Sequence, residues 1–221
     1  VSDTPAPSPG LPGWIAPGRT ALLVIDVQRD FAAPDGILAG FGLDFSAVPA
    51  AIEATGRLIS AARDAGVPVI FVGLGSSAET DSAAWKERMR RMGDDPDSGM
   101  DLCRLGKPGS EFFGIAPEAG DTVIWKTRYS AFVGTGLDAH LRAAGIDTLV
   151  LCGLTTECCV DCTARDAFHL DYHVILAEDA CAAYGEDVHN SAVRNLVLNC
   201  VIAARTEDVA NAWTGWTRDH G

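Results

Sequence analysis

Six short apolar runs, separated by helix-length patterns, constrain this chain more than any other feature. The first, Thr20-Ala21-Leu22-Leu23-Val24-Ile25-Asp26, is continuously apolar and closed by a carboxylate. Val67-Pro68-Val69-Ile70-Phe71-Val72 follows, then Asp121 to Lys126, Thr148 to Cys152, His173 to Ala177 and Cys200 to Ala203. Runs without polar alternation suit strands covered on both faces, as in a parallel sheet. Between them, residues 46–65 read as a helix stopped at Gly66, and Leu137 to Ala144 as one stopped at Gly145. Further helices are predicted behind Cys159, over Val188 to Leu198 and over Glu207 to Trp216. This alternation predicts an α/β fold: a doubly wound, mainly parallel six-stranded sheet with helices on both faces. Residues 19–221 are expected to form one domain. Residues 1–18 carry five prolines and read as an extended arm, with a neighbouring subunit as one docking place.

In a doubly wound sheet the carboxyl ends of the strands share one edge, where ligands bind. Asp26 closes the first run, Lys126 closes the third, and Cys159 follows the fourth by a few residues. The stretch from Val150 to Ala167 reads as a buried strand, a turn at Gly153, two threonines able to cap, and a helix from about Cys158 to Phe168. A cysteine in the first turn of a helix meets free N–H groups and about half a positive charge, which favours a thiolate and an adjacent anion. Each residue alone has an ordinary structural explanation. Together, an acid, an ammonium and a sulfur at one edge are a kit for acyl transfer.

The seven cysteines lie partly inside apolar runs, so they are expected to be mostly reduced, as in a cytoplasmic protein. A net charge of -13 repels nucleic-acid phosphates and anionic membrane surfaces, which leaves a small molecule as the expected partner. No run of 18 or more apolar residues occurs. Cys159-Val160-Asp161-Cys162 also admits a redox pair, or half a zinc site completed by His169 and His173. Residues 73–120 are long, polar and rich in glycine, with a short helix predicted around Trp85 to Met92. There Lys86, Arg88, Arg90 and Arg91 form a basic cluster, read either as a solvated helix face or as an anion site. Phe112 and Phe113 either wall a pocket or pin the loop to the core.

Three separated motifs carry a family resemblance: Ala21 to Phe31, Lys126-Thr127-Arg128-Tyr129-Ser130-Ala131-Phe132, and Gly153 to Val160 followed by Thr163-Ala164-Arg165-Asp166-Ala167. In order and spacing they resemble the isochorismatase-like cysteine hydrolases over about residues 19 to 210. The resemblance implies a triad of Asp26, Lys126 and Cys159, with Cys159 rather than Cys158 as nucleophile. It also implies a cis Leu154-Thr155 peptide that aims the Thr155 and Cys159 amides at a substrate oxygen. Metal-dependent nicotinamidases resemble one another in an Asp-x-His pair after the second strand. Here that place reads Gly73-Leu74-Gly75-Ser76-Ser77, so no catalytic metal and no cofactor is expected. True isochorismatases lack the cysteine nucleophile. The implied activity is therefore amide hydrolysis on carbamoyl, ureido or other small carboxamide substrates, in a homo-oligomer. Gln28, Phe31, Tyr129, Phe132, Tyr184 and Asn199 are the expected substrate contacts.

Overall fold

The computed structural model describes residues 10–220, with side chains described as far as residue 216. Six strands, β1 (Thr20–Ile25), β2 (Val69–Leu74), β3 (Thr122–Lys126), β4 (Thr148–Leu154), β5 (His173–Ala182) and β6 (Ile202–Ala204), form one parallel sheet ordered β3-β2-β1-β4-β5-β6. This is the doubly wound arrangement that the alternation predicts. Its strand order reverses between β1 and β4, and in such sheets that crevice is where ligands bind.

β1 shows why the sheet must be covered on both sides. Leu22 and Val24 pack into one apolar layer, while Ala21, Leu23 and Ile25 pack into the other. The first layer is closed by α1 (Leu11–Trp14), α3 (Val48–Asp64) and α8 (Thr206–His220), with Leu58 and Trp213 fully buried. The second is closed by α5 (Leu137–Ala143), α6 (Asp161–His169) and α7 (Glu186–Asn199), with Leu137, Leu141 and Leu196 fully buried. Two short helices lie on the loops beyond β1 and β2: α2 (Arg29–Ala32), which buries Phe31 and Ala32 in the first layer, and α4 (Ala83–Met92), which buries none of its residues. Among the described residues no helix is long and apolar enough to cross a membrane.

Three expectations need correction. Residues 10–18 are not an extended arm: Leu11 and Ile15 are buried, and the indole Nε1 of Trp213 donates to the Ile15 carbonyl at 2.9 Å. Apolar burial against the chain's own last helix wins over the extended bias of the prolines, and Pro12 sits where a helix start tolerates it. Residues 1–9 lie outside the described residues. The fifth strand runs on to Ala182 rather than stopping at Ala177, through an irregularity in its pairing with β4. The helix behind the fourth strand opens with a π-helical turn, Thr156–Val160, before α6.

Candidate active site

Asp26, Lys126 and Cys159 converge at the carboxyl edge, and each arrives by a different local device. Asp26 is the first residue beyond β1, held to β2 by its amide, which donates to the Val72 carbonyl at 2.8 Å. Its φ of 50° lies in the left-handed region, which few non-glycine residues occupy outside special sites. Lys126 ends β3, two strand spacings from β1, or about 9–10 Å. Its stem spans the end of β2, so that Nζ lies 2.7 Å from Asp26 Oδ2 and 3.4 Å from Cys159 Sγ, and donates to the Arg128 carbonyl at 3.1 Å. Cys159 sits in the π-helical turn, whose wider winding shows in the Val160 amide donating to the Thr155 carbonyl at 3.2 Å. The Leu154-Thr155 peptide is cis.

All three side chains are buried, with Asp26 and Lys126 at 0% exposure. Neither Asp26 oxygen accepts a well-aligned hydrogen bond, although the 2.7 Å separation makes Asp26 and Lys126 an ion pair. Burial raises the Asp26 carboxyl above the ordinary carboxylate range, with Lys126 and the Cys159 thiol opposing. Burial disfavours the Lys126 ammonium, but Asp26 and then Cys159 outweigh it, and the lysine stays charged. The Cys159 thiol is held well above its usual value by its hydrogen bond with Cys158, by burial and by Asp26, with Lys126 opposing. Burial and the neighbouring carboxylate thus oppose the pull that the helix end exerts toward a thiolate. Moving the thiol proton from sulfur to Asp26 would leave the charge of the cluster unchanged.

Cys158 is half-buried, and hydrogen bonding from Cys159 lowers its pKa, but the contact with Lys126 belongs to Cys159. All seven cysteines are free thiols, so Cys159 and Cys162 are not bridged. Among the described residues no group of three His, Cys, Asp or Glu side chains is placed to share a metal. At the place of the Asp-x-His pair, a Cβ on Gly73 would stand 2.8 Å from the Trp125 ring, and one on Gly75 2.9 Å from Leu105. A ligand side chain at either position would have to displace Trp125 or Leu105.

The expected substrate contacts divide. The amide side chain of Gln28 is fully used: it donates to the Leu74 and Ser110 carbonyls at 2.9 and 2.8 Å and accepts from the Leu74 amide at 2.8 Å. It staples the end of β2 and the 110 loop to β1. Phe31 is buried in the first apolar layer, and its carbonyl accepts from the Tyr184 hydroxyl at 2.6 Å. Tyr184 and the half-exposed Tyr129 both stand within electrostatic reach of Cys159. Phe132 instead packs on Tyr172 at 5.8 Å, within the second layer. Asn199 ends α7 and donates to the Asn195 carbonyl at 2.6 Å. It lies a helix length, about 20 Å, from the end of α7 that adjoins the site. Phe112 meets Phe71 at 5.1 Å and Trp125 at 5.9 Å, which pins the loop to the sheet.

Sequence reasoning missed three supports. Thr163 donates to the Cys159 carbonyl at 2.7 Å and accepts from the Ala131 amide at 3.0 Å, tying the Cys159 turn to the segment after Lys126. Thr156 does not cap: its hydroxyl pairs with Nδ1 of His189 at 2.8 Å. Asp30, buried four residues after Asp26, accepts from the Cys103 and Ile37 amides at 2.7 and 3.1 Å. The Thr163 spacing of i+4 on a helix was available as a signal; the other two contacts are long-range.

A family model described as the isochorismatase domain matches residues 20–208. The chain belongs to the isochorismatase family. Ureidoacrylate amidohydrolase RutB of Azorhizobium caulinodans is 38% identical over 192 residues, which cover 82% of this chain and 85% of that protein. RutB of Variovorax paradoxus is 36% identical over 208 residues, covering 84% and 82%. Among solved structures, a cysteine hydrolase from Pseudomonas syringae pv. phaseolicola superposes with a TM-score of 0.80 at 28% identity, covering 92% of this chain and 96% of that one. N-carbamoylsarcosine amidase from Thermoplasma acidophilum gives 0.67 at 30% identity, covering 86% and 97%. This isochorismatase-family chain is an amidohydrolase, acting on C–N amide bonds.

Proposed function

We propose that the chain is a metal-independent cysteine amidohydrolase that cleaves a small carboxamide, ureido or carbamoyl substrate and releases ammonia through a thioester. The observation that carries this reading is Lys126 Nζ standing 2.7 Å from Asp26 and 3.4 Å from Cys159 within one buried cluster. Asp26 takes the thiol proton as Cys159 attacks the amide carbon, and Lys126 holds the resulting thiolate. The Thr155 and Cys159 amides receive the oxyanion, each worth about 3 kcal/mol. Asp26 returns the proton to nitrogen as the C–N bond breaks, so ammonia leaves and the acyl group stays on sulfur. Water, deprotonated by Asp26, then splits the thioester to a carboxylic acid, or the thiocarbamate of a ureido substrate to a carbamic acid, and regenerates the thiol.

The ureidoacrylate and N-carbamoylsarcosine enzymes among its relatives support the ureido and carbamoyl part of the substrate class. Exposed Phe168, Val197, Leu198 and Ile202 suit the expected homo-oligomer. Cys159→Ala should abolish ammonia release from any substrate found in a screen of small amides, with an unchanged unfolding midpoint. A mass increase on Cys159, trapped by acid quench, should accompany turnover in the unaltered protein. Ammonia release by the alanine variant refutes the scheme.

A further inference from the structure

The turn that carries Cys159 is wound in an unusual way, and the winding decides which of its amides is free. The Thr155 carbonyl accepts from the Cys158 and Val160 amides at 3.1 and 3.2 Å, three and five residues on. Among the described residues it takes no bond from the Cys159 amide between them, the one that an α-helix would spend on that carbonyl. Relaxation of the turn to ordinary α winding would therefore consume the Cys159 amide and rotate the sulfur that now lies 3.4 Å from Lys126 Nζ. Something outside the turn has to hold it.

Two threonines supply the grip. At the far end Thr163 donates to the Cys159 carbonyl at 2.7 Å. At the near end Thr156, the first residue of the turn, is fully buried, and its hydroxyl lies 2.8 Å from Nδ1 of His189. A buried hydroxyl needs a partner, and this is the one hydrogen bond among the described residues that joins the turn to α7. His189 is half-buried in the first turn of α7, where its amide donates to the Gly185 carbonyl at 3.0 Å. That helix is a fixed support: it packs on the Cys159 turn, Leu196 is fully buried, and Arg165 of α6 donates to Asn195 at 2.6 Å. Arg165 is held in turn by two hydrogen bonds to Asp161, at 2.7 and 3.0 Å.

We infer that His189 is a positioning residue: by gripping Thr156 it maintains the winding that leaves the Cys159 amide free and the sulfur beside Lys126. The inference rests on the cysteine mechanism proposed above, in which neither His189 nor Thr156 handles the substrate. The amides and the sulfur of this turn act on the carbonyl as it becomes tetrahedral, so loss of the tie lowers kcat and spares KM.

The test measures kcat and KM for ammonia release from 3-ureidopropionate and succinamate, well below every unfolding midpoint. His189→Leu keeps the bulk and loses the bond; His189→Asn sets an amide oxygen or nitrogen near the place of Nδ1 and keeps it. Leucine should lower kcat about tenfold to a hundredfold with KM within threefold, and asparagine should restore most of it. Thr156→Val should match His189→Leu, and the double variant should lose no more than the worse single one. A kcat within twofold of the native value in His189→Leu, an equal loss in leucine and asparagine, or losses that multiply in the double variant overturn the inference. Should neither amide be turned over, or should Cys159→Ala turn one over, the cysteine mechanism is in question, and deuterium exchange of the amides of residues 155–160 decides the tie separately. Exchange at least tenfold faster in His189→Leu, with asparagine close to native, supports it; exchange unchanged in His189→Leu overturns it.

Discussion

Replacing Asp26 with asparagine separates the two services that the carboxylate renders. Asparagine keeps the size and tolerates the left-handed backbone at φ 50°. The charge is lost, and the buried Lys126 ammonium is left with one group able to become its counter-ion, the Cys159 sulfur at 3.4 Å. With an effective dielectric of 20, an ammonium and a thiolate at that separation attract by about 5 kcal/mol. In the native site the Asp26 carboxylate works against this attraction by repelling the thiolate. Asp26→Asn should therefore ionise the thiol more readily while removing the group that carries its proton to the leaving nitrogen. Alkylation by iodoacetamide at neutral pH should accelerate, and amide hydrolysis should fall about a hundredfold to ten-thousandfold. Where the thiolate fails to form, an unpaired buried ammonium should lower the unfolding free energy by about 3–5 kcal/mol. Alkylation rate and urea unfolding, measured on one preparation, read both branches. A variant as slow to alkylate as the native protein and equally stable, or one hydrolysing amides within tenfold of it, refutes the charge assignment.

Three further outcomes follow from the same geometry. Gly153→Ala places a Cβ 2.0 Å from the Ile25 carbonyl at a φ of 117°, so a loss above about 4 kcal/mol, or no folded protein, is expected in thermal melting. Thr163→Val removes its bond to the Cys159 carbonyl and leaves the buried Ala131 amide without its partner; urea titration should show about 1–3 kcal/mol lost. Burial depresses the His189 imidazole below its ordinary 6.5, with Glu178 and Glu186 opposing. The unfolded chain then takes up the proton first, so the histidine's stabilising share is whole above pH 6.5 and is lost as pH falls through the depressed folded value. His189→Gln should flatten that part of the stability-against-pH curve, and an unchanged slope refutes the assignment.

The sheet was legible because β1 to β4 are apolar runs that end in chemically distinct residues, and the positions of Asp26 and Lys126 came with their strand ends. The far half of β5 was not, because Glu178 and Asp179 break its apolar pattern. Their carboxylates are used elsewhere, by Arg205 at 3.4 Å and by the Thr206 amide and hydroxyl at 2.7 and 2.9 Å, where they anchor the start of α8. The groups that hold the Cys159 thiol above its usual pKa were hidden for a related reason. A helix start is visible in sequence, whereas complete burial and an acid beside the sulfur emerge only when distant segments meet. Gln28 belongs to the same class: a glutamine after a strand looks free to bind substrate until Leu74 and Ser110 are seen to occupy it.

The contact of Trp213 with Ile15 joins residues near opposite ends of the described chain. A ribosome delivers Ile15 well before Trp213, so the apolar layer beneath α1 and α3 stays open to solvent until α8 has emerged. Nascent copies made side by side would expose the same unsealed surface, and loss of the last helix would strand the first one as well.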